Sequence, residues 1–292
     1  MSGEGFRIRR LTLVGVGLIG GSLALALKRA GAVGEVIGHA RNEANLKKGV
    51  ELGILDDYAL DIGEAVRGSD LVVVATPLGA IRAVFAGIAP HLADDAVITD
   101  VGSAKATVVA DARAELGRHF PRFVAGHPIA GTENSGVEAG FPELFRERKI
   151  ILTPDPATEA GAIERVAAMW RATGAGVERM SVEHHDRVLA ATSHLPHMLA
   201  FALVSHLSKM SDQDEIFEYA AGGFRDFTRI ASSDPVMWRD VCLANGEALL
   251  ELIDGFQQEL GEVAEAIRDK NADALLEHFR TAKRTRDQLK HL

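Results

Sequence analysis

The 292-residue chain has a single cysteine, Cys242, which excludes an intramolecular disulfide and any thiolate cluster for a metal. Set among apolar residues, Cys242 is expected to be a small buried hydrophobe. No run of about 18 uninterrupted apolar residues occurs, and the N-terminus does not read as a signal peptide. A cytoplasmic protein with no membrane partner is therefore expected. Asp and Glu (41) outnumber Lys and Arg (32), for a net charge of −9. No Lys/Arg-rich face dominates, so no nucleic-acid partner is expected. Arg7, Arg9 and Arg10 read as a solvated lead-in to the first strand. No His-Glu-x-x-His spacing supports a metal site from His184, His194 and His197, and none is expected.

Glycine is abundant where it matters most. Leu11 to Val14 reads as a short buried strand, and Gly15-Val-Gly17-Leu18-Ile19-Gly20 opens a helix running from Ser22 to Ala30. This is the dinucleotide fingerprint in its strand–turn–helix setting. Gly15 makes the tight turn, Gly17 lets the backbone approach a pyrophosphate, and Gly20 lets helix and strand pack closely. The unpaired N–H groups of the helix start would hold the phosphates.

Strands and helices then alternate. Glu35–Gly38, Asp70–Ala75, Ala96–Asp100, Phe123–Gly126 and Lys149–Thr153 read as strands, with a last one after Gly174. Helices are expected at 43–51 (capped by Asn42), 64–67, 81–89, 107–116 and 158–173. Asp70–Ala75 is a continuous apolar run, the pattern of a strand covered on both faces, and no strand shows the clean alternation of a half-exposed antiparallel face. Residues 1–180 are thus expected to form a doubly wound α/β domain of the Rossmann type. Thr76 and Pro77 leave the carboxyl end of one of its strands, where ligands of such sheets lie.

The pattern changes near residue 180. Helices are expected at Val182–Thr192, Met198–Lys209, Met237–Ile267 and Ala272–Gln288, with a few strand residues near Phe224 as the exception. Pro196 must start or kink a helix. A helix of 30 residues would reach roughly 45 Å, long enough for a spine shared between subunits. Residues 181–292 are therefore expected to be an all-α domain that carries substrate contacts and a homodimer interface.

In such an architecture the substrate lies between the two halves, over the nicotinamide. His127, in a glycine-containing loop after a strand, is a candidate base, since a neutral imidazole suits proton removal near pH 7. Ser103 follows another strand end. His184, His185, His194, His197, Arg225, Asp226 and Arg229 are candidates from the second half.

Five stretches together resemble the prephenate dehydrogenase family, which includes the arogenate and cyclohexadienyl dehydrogenases of tyrosine biosynthesis. They are the glycine turn at 15–21, Asp100-Val-Gly-Ser-Ala-Lys105, Gly126-His-Pro-Ile-Ala-Gly-Thr-Glu133, Ser193-His-Leu-Pro-His197, and Gly222–Ala231 with Ser233–Trp238. The resemblance spans about residues 9–285. It implies oxidation of prephenate to 4-hydroxyphenylpyruvate and CO₂ by NAD or NADP, with arogenate, which would give tyrosine, as an alternative substrate. It further implies that His127 accepts the proton of the ring hydroxyl, and that Ser103 bonds the same hydroxyl or orients His127. Arg229 would bind the ring carboxylate and Asp226 would organise that side of the site. His185 and His197 would line the cleft, and Thr132 and Glu133 would lie near the substrate side chain. No regulatory or mutase domain is expected on this chain.

Two matters stay open at the level of sequence. The ribose-binding carboxylate of the fingerprint is missing from Gly38-His-Ala-Arg-Asn42. Arg41 could then meet a 2′-phosphate, so both NAD and NADP are expected to serve. The rival reading is a β-hydroxy acid dehydrogenase of similar architecture, which would rely on a lysine in the helical half.

Overall fold

A computed structural model describes residues 6–132 and 134–289. The first half begins with β1 (Ile8–Val14), α1 (Leu18–Arg29), β2 (Val33–His39), α2 (Glu43–Glu51) and β3 (Asp57–Tyr58). It continues with α3 (Ile62–Val66), β4 (Leu71–Val74), α4 (Leu78–Ile88), β5 (Val97–Asp100), α5 (Ala106–Glu115) and β6 (Phe123–Val124). These strands form one parallel sheet in the order β3-β2-β1-β4-β5-β6, the doubly wound arrangement. Both faces are covered. Leu13, Leu23, Leu27 and Trp170 belong to one apolar core, and Val72, Val74, Ile81 and Phe85 to another. The local signals behave as their chemistry dictates: the Asn42 side chain accepts from the N–H groups of Ala44 (2.9 Å) and Asn45 (3.4 Å), capping α2.

The expected single sheet needs correction after β6. The stretch read as one strand, Phe123–Gly126, is two. At Ala125 the chain leaves the parallel sheet, and β7 (Gly126–Pro128) pairs antiparallel with β8 (Lys149–Leu152). After α6 (Ala160–Ala172), β9 (Gly176–Arg179) adds to β8 in parallel, completing a separate three-stranded sheet. Polar bonds hold the hand-over: Gly126 N–H donates to Asp100 Oδ1 (3.1 Å), and Thr153 N–H to the Ala125 carbonyl (2.9 Å). The edge strand β3, two residues long, has too little pattern to be read from sequence.

The helical elements are α7 (Val182–Leu189), α8 (Leu195–Leu207), α9 (Gln213–Glu218), α10 (Gly222–Thr228), α11 (Pro235–Ala244), α12 (Gly246–Arg268) and α13 (Ala272–Gln288). Residues near Phe224 are helical rather than extended. A π-helical turn, Ala190–His194, joins α7 to α8 without a break. It loosens the backbone just before Pro196, which has no N–H to give and would crowd the preceding turn. The long helix expected over Met237–Ile267 is interrupted at Asn245, whose backbone (φ −114°, ψ 34°) leaves the helix after α11. The remaining 23-residue helix α12 spans about 35 Å.

Two compact units result, Met1–Gly246 and Glu247–Leu292. The second consists of α13 and nearly all of α12, which approach one another at Glu259 and His278 (3.8 Å). It leaves Leu250, Leu260, Ile267, Leu276 and Phe279 exposed.

Candidate active site

The glycine turn is shaped by close backbone approach. Gly15 has φ +99°, and a Cβ there would lie 2.4 Å from the Ala75 carbonyl oxygen at the end of β4. A Cβ on Gly20 would lie 2.6 Å from the Gly15 carbonyl oxygen. At Gly17, by contrast, a Cβ would meet nothing within 4 Å, so the turn is open on the side where a phosphate would approach. Gly17 is also the N-cap of α1 and offers no side-chain cap, leaving the first-turn N–H groups at Leu18, Ile19 and Gly20 for an anion. Beside it the Thr76 hydroxyl is buried without a partner, and Pro77 starts α4. An unpaired buried hydroxyl next to an uncapped helix start suits a dinucleotide pyrophosphate.

Arg41 is exposed, with no hydrogen bond or ion pair among the described residues. His39 Nδ1 is 3.0 Å from the Ala59 carbonyl. A carbonyl only accepts, so His39 Nδ1 carries a proton.

Behind the turn at the end of β5 lies a chain of polar side chains. Asp186 caps α5: Oδ1 accepts from Lys105 N–H and Oδ2 from Ala106 N–H, both at 2.8 Å. Asp186 Oδ1 also lies 2.7 Å from His185 Nδ1, and His185 Nε2 lies 2.9 Å from His127 Nδ1. Burial raises the Asp186 pKa, but the bonds from His185, Ala106 and Lys105 outweigh it and hold the carboxyl below its usual range. Asp186 is therefore ionised and acceptor-only, which places a proton on His185 Nδ1. With that proton on Nδ1, His185 accepts at Nε2, His127 donates from Nδ1, and His127 Nε2 is left with a free lone pair.

His127 is itself held neutral. Burial first, then the Lys105 ammonium and the neighbouring histidines, push its pKa well below the usual value. Lys105 is fully buried, paired with Asp100, and donates to the Gly126 carbonyl (2.7 Å) next to His127. Burial lowers its pKa against the opposing pull of Asp100.

His127 borders a cavity of about 550 Å³, shared with Thr132, Thr192, His197, Arg229 and Trp238. His197 stacks on Trp238, ring centroids 3.7 Å apart, with its Nδ1 against the Ser193 carbonyl (2.8 Å). Burial lowers the pKa of His197.

The structure thus brings His127, Thr132, His197 and Arg229 together, and sorts the remaining candidates. His185 is fully buried behind His127 rather than lining the cleft, because both ring nitrogens are taken by His127 and Asp186. Asp226 is exposed on α10, does not border the cavity and makes no ion pair with Arg229 among the described residues. Ser103 is half-buried after β5, outside the cavity lining. His184 and Arg225 are exposed. Glu133 lies outside the described residues. Cys242 is half-buried, a weaker burial than expected.

Asp186 and Asn245 were not singled out by sequence, and Asp100, Lys105 and Trp238 stood there only as members of motifs, with no role assigned. A fully apolar setting around a lone charge, as for Asp100 and Lys105 flanking a strand end, is the one signal that could have flagged them. Val182–Leu207, which by length and composition could cross a membrane, carries Asp186, His194 and His197 of this polar assembly.

Comparison with known proteins agrees with this arrangement. Residues 23–179 match the family model for the prephenate dehydrogenase nucleotide-binding domain, and residues 181–281 match that for the prephenate dehydrogenase dimerization domain. The cyclohexadienyl dehydrogenase of Zymomonas mobilis is 40% identical over 284 residues, 97% of this chain and 96% of that one. The prephenate dehydrogenase of Bacillus subtilis is 37% identical over 96% of this chain and 76% of its own length. The crystal structure of prephenate dehydrogenase from A. aeolicus with hydroxyphenyl propionate and NAD+ superposes with a TM-score of 0.91 at 39% identity, covering 98% of this chain and all of that one. The chain belongs to the prephenate dehydrogenase family, NAD(P)-dependent oxidoreductases of cyclohexadienyl substrates.

Proposed function

We propose that this chain converts prephenate and NAD(P)+ to 4-hydroxyphenylpyruvate, CO₂ and the reduced dinucleotide. The carrying observation is the free Nε2 of His127, on a ring that borders the cavity and is fixed by the His185–Asp186 chain behind it. Gly15, Gly17, Leu18, Ile19, Gly20, Thr76 and Pro77 would hold the dinucleotide, and its nicotinamide supplies the hydride acceptor. His127 takes the proton of the ring hydroxyl as hydride leaves the carbon bearing it, so that a carbonyl forms. The ring carboxylate is then lost as CO₂: its carbon–carbon bond breaks, and the electron pair passes through the ring to the carbonyl oxygen, giving the aromatic phenolate. Imidazolium at His127 is stabilised through His185 by the Asp186 carboxylate, and His127 can return the proton to the phenolic oxygen.

Arg229 would hold the ring carboxylate by its planar fork, where orientation matters more than ground-state affinity. His197 and Thr132 line the same cavity, and Ser103 would bond the reacting hydroxyl or steady His127. By the resemblance, Asp226 would organise the helical side of the site and Glu133 would lie near the substrate side chain. In this division of labour residues 1–180 serve the dinucleotide and 181–292 the substrate and subunit pairing.

Arogenate is the alternative substrate, and NADP the alternative cofactor. No 2-position carboxylate stands in the way of a 2′-phosphate, and Arg41 is free to meet it. His39 Nδ1 is engaged by the Ala59 carbonyl, so NADP use rests on Arg41. The protein is proposed to be a cytoplasmic homodimer; the exposed Leu250, Leu260, Ile267 and Phe279 favour subunit pairing, as does the match to a dimerization model. The β-hydroxy acid dehydrogenase reading is disfavoured, because the cavity is bordered by His127, His197 and Arg229 and by no lysine among the described residues. Incubation with prephenate and with arogenate, each with NAD+ and NADP+, tests the proposal by absorbance of the reduced nicotinamide. Turnover of a β-hydroxy acid but of neither cyclohexadienyl substrate would overturn it.

A further inference from the structure

Lys105 is a charged side chain with no exposure to solvent, and the reaction steps above leave it without a task. Its ammonium faces two acceptors, the Asp100 carboxylate and the main-chain carbonyl of Gly126 (2.7 Å). The carboxylate accepts in addition from main-chain donors, at Oδ2 from Gly102 N–H (2.7 Å) and at Oδ1 from Gly126 N–H (3.1 Å). Both main-chain polar groups of Gly126, the residue before His127, are therefore held by one ion pair. The segments also pass close, since a Cβ on Gly126 would lie 3.1 Å from the Asp100 main-chain carbonyl oxygen. A buried ion pair is a poor device for stability alone, because lost hydration offsets the attraction. Its place is explained by what it holds, the point at which the chain has left the parallel sheet and entered β7.

The same residue acts a second time through its backbone. Lys105 N–H donates to Asp186 Oδ1 (2.8 Å), on the carboxylate that stands behind His185 and His127. Lys105 thus reaches His127 by two routes, through Gly126 to its backbone and through Asp186 and His185 to its ring. Neither Lys105 nor Asp100 borders the cavity, so neither is placed to touch substrate.

We propose that Lys105 is a positioning residue for His127: its ammonium, with Asp100, clamps the peptide group that leads into His127, while its main-chain N–H anchors the carboxylate that orients the ring. The ammonium also opposes a positive charge on that ring. The other groups that bear on His127 are Asp100 beside Lys105, His185 and Asp186 on α7, His194 in the π-helical turn, and His197 and Arg229 around the cavity. The inference rests on the reading of His127 as the base of the reaction.

Lys105→Met in the full chain keeps the main-chain N–H and most of the side-chain length but removes the ammonium. The clamp on Gly126 then loses one side. At saturating prephenate, kcat counted per dinucleotide-binding site should fall at least about tenfold, with KM for the dinucleotide within about threefold of wild type. The acid limb of kcat/KM reports protonation of the base in the free enzyme. It should move to higher pH, because the cation opposing imidazolium is gone and the Asp100 carboxylate that favours it is unmasked. A residue that served the fold alone would lower the number of binding sites and move neither quantity. Where the Met chain fails to fold, Lys105→Gln, which keeps an uncharged donor for Asp100 or Gly126, is read for the same acid limb. A kcat within about threefold of wild type in the Met chain, or an acid limb that stays in place, would overturn the proposal. His127→Asn separates the levels. Wild-type kcat there would remove the base and the inference with it, whereas an inactive His127→Asn chain beside a fully active Lys105→Met chain would strike the inference alone.

Discussion

Asp186→Asn tests the logic of the site most directly, because the amide fits the space of the carboxylate but not its bonds. In the native protein Oδ1 accepts from Lys105 N–H and faces His185 Nδ1, while Oδ2 accepts from Ala106 N–H. If the amide keeps its oxygen at the Oδ1 position, its NH₂ confronts the Ala106 N–H, donor against donor. His185 can still donate from Nδ1, but to a neutral acceptor, which supports imidazolium at His127 much less well. If the amide turns over, its NH₂ confronts the Lys105 N–H and donates to His185 Nδ1. His185 then carries its proton on Nε2 and His127 on its own Nε2, so the catalytic lone pair is gone.

Both orientations leave one N–H of the α5 first turn unpaired, at a cost of about 1–3 kcal/mol. The carboxylate of the wild type has a depressed pKa, so its contribution is fully present above the unfolded value near 3.8 and is lost only as pH falls through the lower, folded value. The stability loss should therefore be constant across the neutral range in urea melts. The expected fall in kcat is at least about tenfold for the first orientation, and roughly two to four orders of magnitude for the second. Dinucleotide KM should change little. The assay is initial rate of nicotinamide reduction at saturating prephenate. A variant with kcat within about threefold of wild type would refute the reasoning.

Arg229→Lys keeps the charge but loses the fork, so KM for prephenate should rise at least about tenfold with dinucleotide KM unchanged; an unaltered KM would show that Arg229 does not hold the carboxylate. Ala40→Asp should shift kcat/KM toward NAD+ and Arg41→Ala should weaken NADP+ selectively, and steady-state kinetics showing neither shift would mean that the choice is made elsewhere. On acidification the unfolded chain takes up a proton at His194 first, because the folded pKa is lowered from 6.5 to about 4. Stability should thus fall by up to about 3 kcal/mol across that window, and His194→Gln should flatten the slope in urea melts. Sedimentation of the whole protein at micromolar concentration is expected to show a dimer, and a monomer would contradict the proposed pairing.

Local chemistry settled a good part of this protein in advance. The strand–glycine–helix start, the Asn42 cap and the buried apolar strands are short-range effects, each written within a few residues. The parallel sheet follows from their alternation with helices. His127 was legible because it stands in a loop at a strand end, and Thr132, His197 and Arg229 because their motifs are contiguous. What the sequence could not supply was the pairing of groups far apart along the chain. Asp186 meets Lys105 and Ala106 across some 80 residues, and Asn245 meets His194 across 51. An ionised carboxylate, an imidazole and an amide each have several tautomeric or bonding choices, and only their packing fixes which nitrogen donates. For the same reason the break at Asn245, the move of His185 from cleft wall to buried link, and the departure of β7 from the main sheet were decided in three dimensions. Each satisfies a buried polar group whose partner lies in another element, and local pattern carries no record of that partner.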